Sequence, residues 1–134
     1  MKTECIALLC VALSSCTTVP LQYGHRSGTA RLTFYNKHED KYGSHIASSS
    51  RRRATAGHTL AAESAFPFGT KVHIPVLDKI LGDGHCVVED RGSAVERRKA
   101  SRGLTPVFDL YAETKKKMKQ WAKLIPAYVQ YEIQ

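Results

Sequence analysis

A chain of 134 residues with a formal charge of +8 and 43% hydrophobic residues is long enough for one domain with one core and too short for two. It has no HExxH step, no cysteine pairing of zinc-finger spacing, no Gly-rich phosphate loop and no GxSxG elbow, which argues against zinc peptidases, nucleotide enzymes and α/β-hydrolases. Histidines 25, 38, 45, 58, 73 and 85 are scattered along the chain, and neither a metal nor a cofactor is expected.

The first stretch, "MKTECIALLCVALSSC", carries Lys2, an apolar run from Cys5 to Leu13 and then small residues. That run is shorter than the roughly 20 residues a bilayer core demands, and it fits a secretory signal over residues 1–15. Leu13-Ser14-Ser15-Cys16 resembles the bacterial lipobox, in which the cysteine becomes the acylated first residue; an ordinary signal cut near this point and a structured helix are the alternatives. Lys2 and Glu4 cancel, so the positive charge stays with the rest of the chain. In an exported protein such charge points to anionic head groups or acidic envelope polymers rather than nucleic acid. Cys5 and Cys10 leave with the signal and Cys16 takes the lipid, so Cys86 is left with no disulfide partner. It alternates with Val88 in a strand-like run and reads as a small buried residue rather than a reactive thiol.

Residues 16–29, with Pro20, Gly24 and Gly28, read as a polar tether, and the domain is expected over 30–134. "RLTFYN" has strand composition. From Lys37 to Gly57 the chain is charged and serine-rich, and "SSSRRR" is expected to lie in a long surface loop. Lys71 to Val76 alternates like a half-buried strand, and the Asp83-Gly84 step suggests a hairpin between two apolar runs. A basic loop, Arg91 to Gly103, leads to the strand "PVFDLY". "ETKKKMKQWAKL", 113–124, is the one convincing helix, with Met118, Trp121 and Leu124 at three-residue spacing on one face. Its lysines read most simply as a solvated face, with a membrane or polymer contact as the other option. "YVQYEIQ" closes the chain as a strand. Short strands, long loops and one helix predict a mainly β fold, a small barrel.

"LAAESAFPFGTKVHIP", "VVEDRGSAV" and "VFDLYAET", in that order and followed by a Trp-bearing helix and a strand, resemble the double-psi β-barrel domains of cell-wall lytic enzymes. Two branches are similar: the three-aspartate domain of membrane-bound lytic transglycosylase A, and the rare lipoprotein A type. The resemblance covers about residues 30–134 and implies a six-stranded double-psi barrel with an amphipathic helix before its last strand. It places Asp109 on the proposed acid/base and Asp90 on the aspartate of the DRG step. Glu63 stands where the two branches have aspartate or histidine. Thr55 and Gly57 fall on a step near the glycan groove, Lys71 loosely on a basic position after "GT", and Arg91 and Gly92 complete the DRG step.

The implied activity is that of a lipid-anchored lytic transglycosylase, a monomer on peptidoglycan glycan strands in the bacterial cell envelope, at the periplasmic face of the outer membrane. Such an enzyme needs a carboxylic acid kept neutral near pH 7, which protonates the leaving oxygen and then accepts the proton of the muramyl C6 hydroxyl. Acids gathered at strand edges push one another's protonation apart, and that suits Asp109 as acid/base with Asp90 and Glu63 beside it. Simpler roles stand next to these: Asp90 closing a turn, Asp109 capping the incoming helix, Glu63 as a surface residue. A glycan-binding or scaffold lipoprotein, or an expansin-like loosening protein, is the alternative function.

Overall fold

The computed structural model describes residues 26–39 and 45–134. The signal expected at 1–15, the acylation expected at Cys16 and most of the expected tether lie outside the described residues. Strand β1 (Ser27–Tyr35) starts within the last residues of that tether. Ala30 and Leu32 of this strand point into the core while Thr29 is exposed and Arg31 half-buried, as the two-residue period of a strand requires.

Strands β2 (His45–Ile46) and β3 (Ser49–Arg53) make a separate two-stranded sheet. Strands β4 (Thr59–Ala61), β5 (Lys71–His73), β6 (His85–Asp90), β7 (Val107–Tyr111) and β8 (Tyr128–Ile133) join β1 in a closed barrel, ordered β1-β7-β4-β6-β5-β8. The β1–β7 and β4–β6 pairs run parallel and the other four antiparallel. Closure leaves no free edge among these six strands. The interior is filled by Leu32, Leu60, Val72, Val88, Phe108 and Leu110, all fully buried. Each stabilises the fold by roughly 1.5–3 kcal/mol through burial. The Phe108 ring meets Phe66 and Tyr131 edge-on, at 5.1 and 5.0 Å. Cys86 also lies inside, where burial pushes its thiol up to about 12, so it is a packing residue.

The expected architecture holds: mainly β, six strands in the barrel, and helix α3 (Lys115–Leu124) directly before β8. Two further helices depart from expectation. Helix α1 (Pro75–Leu81) replaces the end of the strand expected to reach Val76, and with it the expected hairpin. Strands β5 and β6 are antiparallel neighbours, but a helix joins them. The signal was Pro75 at the first helical position and Gly82 just past the last, with φ of +82°. Helix α2 (Ser93–Glu96) and a 3₁₀ turn (Lys99–Ser101) shape the basic loop after β6.

The remaining differences are local. Thr114 caps α3, its Oγ1 accepting from the Lys117 amide at 3.1 Å, so Asp109 is not the cap. Trp121 and Ile125 are buried and Met118 packs beside them, whereas Leu124 is 57% exposed. Strict three-residue spacing drifts off a helix face of period 3.6, and the buried stripe therefore steps from 121 to 125. The segment "SSSRRR" is no loop. Most of it is β3, an exposed strand tied to the barrel by acids rather than by an apolar face.

Candidate active site

The candidate site lies on the outside of the barrel wall made by β1, β7, β4 and β6. Phe108 and Leu110 face inward, so the alternation of β7 turns Val107, Asp109 and Tyr111 outward. Val107 and Tyr111 pack with Tyr35 of β1, Ala61 of β4 and Val95 of α2 in a small apolar cluster separate from the core. Asp109 sits among them as the one acid of β7.

A bulge brings Asp90 to the same wall. Thr59 pairs with Val87 and Leu60 with Val88, but Ala61 pairs with Asp90. Glu89 is the extra residue. Cys86 and Val88 point into the core, and regular alternation would send Asp90 there too; the inserted residue turns it outward instead. Ala61 is also the register partner of Asp109 on its other side. The two aspartates thus flank one small residue, two strand spacings or roughly 10 Å apart at their α-carbons.

Their surroundings differ. The Asp90 carboxylate accepts from the Tyr35 hydroxyl at 2.8 Å, the Ala47 amide at 3.1 Å and the Arg91 amide at 2.9 Å. It therefore closes its own turn and also holds the β2–β3 sheet to the barrel. Glu89 helps: the Ser48 amide donates to its carbonyl at 3.0 Å, Arg52 pairs with its carboxylate at 2.7 Å, and Thr59 Oγ1 donates to it at 3.0 Å.

Asp109 has one side-chain donor, Thr33 Oγ1 at 2.9 Å, from its register partner on β1. Burial in the wall pushes its carboxyl up to about 7; the Thr33 hydrogen bond opposes this, and the like charges of Glu39 and Asp90 add to it. A carboxyl of this kind is half protonated near neutrality and can both give and take a proton.

Glu63 is buried and engaged elsewhere. Arg98 Nε donates to both of its oxygens, at 3.1 and 3.0 Å, and Nη2 to Oε1 at 2.6 Å. Arg98 adopts a left-handed backbone, φ of +50°, in making this fork. Such a fork locks the segment after β4 to the basic loop.

Thr55 and Gly57 form the turn into β4. The Thr55 amide donates to Thr59 Oγ1 at 2.8 Å, and Gly57, with φ of +75°, donates its amide to the Tyr111 carbonyl at 2.9 Å. They border the wall beside Tyr111. Arg91 donates to the carbonyls of Ala62 and Phe66 at 3.1 and 2.8 Å and lies over the Phe68 ring at 4.1 Å. With Asp90, Gly92 and the β2–β3 turn it lines a cleft of ≈ 630 Å³, a size that suits a small ligand or a segment of a polymer. Lys71 is exposed on β5, whose neighbours are β6 and β8, and is not brought to the wall.

Sequence reasoning passed over Thr33, Tyr35, Glu39 and Ala47. Thr33 and Tyr35 could have been found, because the alternation of β1 that buries Leu32 turns them outward. Ala47 contributes only a backbone amide, which no sequence pattern marks. No family model matches the chain, and no curated protein matches it either.

Proposed function

We propose that the protein is a peptidoglycan lytic transglycosylase built on a double-psi β-barrel, with Asp109 as its acid and base. The observation that carries this reading is the Asp109 carboxyl: held on the outer wall by Thr33, raised to about 7, and one residue across from a second acid. The closed mixed barrel is compatible with the double-psi arrangement.

In the proposed reaction protonated Asp109 gives its proton to the glycosidic oxygen as the bond from the N-acetylmuramyl anomeric carbon breaks. The C6 hydroxyl of the same ring then bonds to that carbon and releases its proton to the Asp109 carboxylate. The products are a 1,6-anhydro sugar and a free N-acetylglucosamine end, and Asp109 is again protonated. Burial keeps the Asp109 carboxyl raised, with the charges of Glu39 and Asp90 adding to it, and Asp90 fixes the cleft wall through its three donors. Thr55, Gly57, Arg91 and Gly92 border the path of the glycan, Lys71 meets it only if the strand runs past β6, and Glu63 shapes the basic loop. A lipid on Cys16 would hold the domain at the envelope membrane, with the glycan strand as its partner and nucleic acid as none.

A second reading has its own observation. The carboxylates of Asp90 and Glu63 are both consumed by internal partners, which suits a glycan-binding module as well as an enzyme. Incubating the protein with purified peptidoglycan and weighing the released fragments, beside Asp109→Asn, separates the two. Anhydro-muropeptides from the wild type alone support the enzyme; co-sedimentation with the polymer and no release from either protein supports the binding module.

A further inference from the structure

At the end of β6 away from Asp90, β5 and β6 place two histidines opposite each other. His73 and His85 are register partners, their rings stacked at 4.4 Å with planes 12° apart. Helix α1 returns over this pair and delivers Asp78, whose Oδ2 lies 2.7 Å from His73 Nε2. One ligand atom from each of the three residues lies within 4.8 Å of the others.

We propose that His73, Asp78 and His85 bind a divalent transition metal ion, zinc by preference, which clamps α1 onto the β5–β6 pair. Two imidazoles and one carboxylate are a donor set of borderline softness, suited to zinc and unlike the all-oxygen sets of calcium or magnesium. Around a tetrahedral zinc, ligand atoms stand about 3.4 Å apart, given bonds of roughly 2.0–2.2 Å. The two ring planes are nearly parallel, so reaching that geometry takes a rotation of one imidazole about its side-chain bonds together with a shift on the order of 1 Å in partly exposed side chains.

The surroundings of the ligands favour the same conclusion. Asp78 Oδ1 accepts from the Gly84 amide at 2.8 Å, and His85 Nδ1 lies 3.1 Å from Gln134 Oε1. Metal-bound carboxylates and imidazoles are commonly oriented by such outer hydrogen bonds, and the Gln134 contact leaves His85 Nε2 for the ion. Gly84 fits this role because a side chain there would collide with the Ile74 carbonyl and with Asp78 Oδ1. The close passage of the chain at Gly84 is what sets Asp78 beside the two histidines. Three protein ligands leave a coordination position open to water.

The test strips the full chain with a chelator and titrates it with zinc in competition with a chromogenic chelator. The same titration is run on the double variant His73→Gln/His85→Gln and, separately, on Asp78→Asn. One equivalent per wild-type chain is expected, weakened more than about 100-fold in the double variant, with zinc raising the melting temperature of the wild type only. Metal-free melting temperatures report whether each variant folds, and Asp78→Asn supplies the answer if the double variant does not. Cobalt substitution separates this set from cysteine: nitrogen and oxygen ligation gives no strong near-ultraviolet thiolate band. No uptake by the wild type, equal uptake by the variants, or a thiolate band would each overturn the proposal.

Discussion

Asp90 and Asp109 flank the same alanine on the same wall, yet they are built for opposite ends. Asp90 lies at a bulge where three donors converge on it, one hydroxyl and two backbone amides. Asp109 lies in a regular strand, where backbone amides are already spent on the ladder, and among the described residues the Thr33 hydroxyl is the donor that reaches it. Donors stabilise the charged form of a carboxyl and desolvation opposes it, so the three donors on Asp90 spend its oxygens on holding a loop, while burial beside the Thr33 donor raises Asp109. The first organises a loop. The second is available for chemistry.

The largest expected effect comes from erasing that difference on the reactive side. Asp109→Asn keeps the shape and the Thr33 contact but removes the proton, so release of anhydro-muropeptides should fall by about 10²–10⁴-fold, measured as initial rate at pH 7. Next is the anchoring side. Asp90→Ala removes the carboxylate that accepts from the Tyr35 hydroxyl and from the Ala47 and Arg91 amides, and each hydrogen bond to a charged group contributes about 1.5–3 kcal/mol. A loss on the order of 3 kcal/mol in denaturant unfolding is expected, together with faster amide exchange at Ala47 and Ser48.

A comparable effect has a definite pH signature. An unfolded aspartate releases its proton near 3.9, about, whereas folded Asp109 holds it to about 7. Between those values the unfolded chain binds fewer protons than the folded one, so this residue lowers wild-type stability as pH rises; below the unfolded value both forms are neutral and the loss disappears. Asp109→Asn should therefore be more stable than wild type at pH 8 by on the order of 4 kcal/mol and indistinguishable from it at pH 3. Equal differences at both values would mean that Asp109 is charged in the fold at neutral pH. The smallest change is Thr33→Val. Removing this donor, whose hydrogen bond holds the Asp109 midpoint down, should move that midpoint further up, visible as a shifted limb in the pH–rate profile.

The barrel strands were legible where one face is apolar: "RLTFY", "VFDLY" and "YVQYEI" alternate plainly, and all three are strands close to the expected bounds. Strand β3 was not, because Ser49–Arg53 is held by Glu89 and Asp90 rather than by apolar side chains. Helix α1 carried its Pro75 and Gly82 signals, but its seven residues are too few to establish a helical period against the alternation that precedes them. At the site, Asp90 and Asp109 could be singled out as acids beside strands. That they share a face depends on the extra residue at Glu89, a backbone event with no side-chain signature. The Arg98 fork on Glu63 and the meeting of His73, Asp78 and His85 join segments whose sequence separation hides the contact.

The central claim is that Asp109 is a neutral acid at the edge of neutrality, and it can be measured without any substrate. Following the side-chain carboxyl carbon of Asp109 by NMR through a pH titration, with Asp109→Asn to assign the signal, gives its midpoint directly. The account predicts a midpoint close to 7. A midpoint in the ordinary aspartate range, about 4, would contradict it and leave the wall without a group able to deliver a proton at neutral pH.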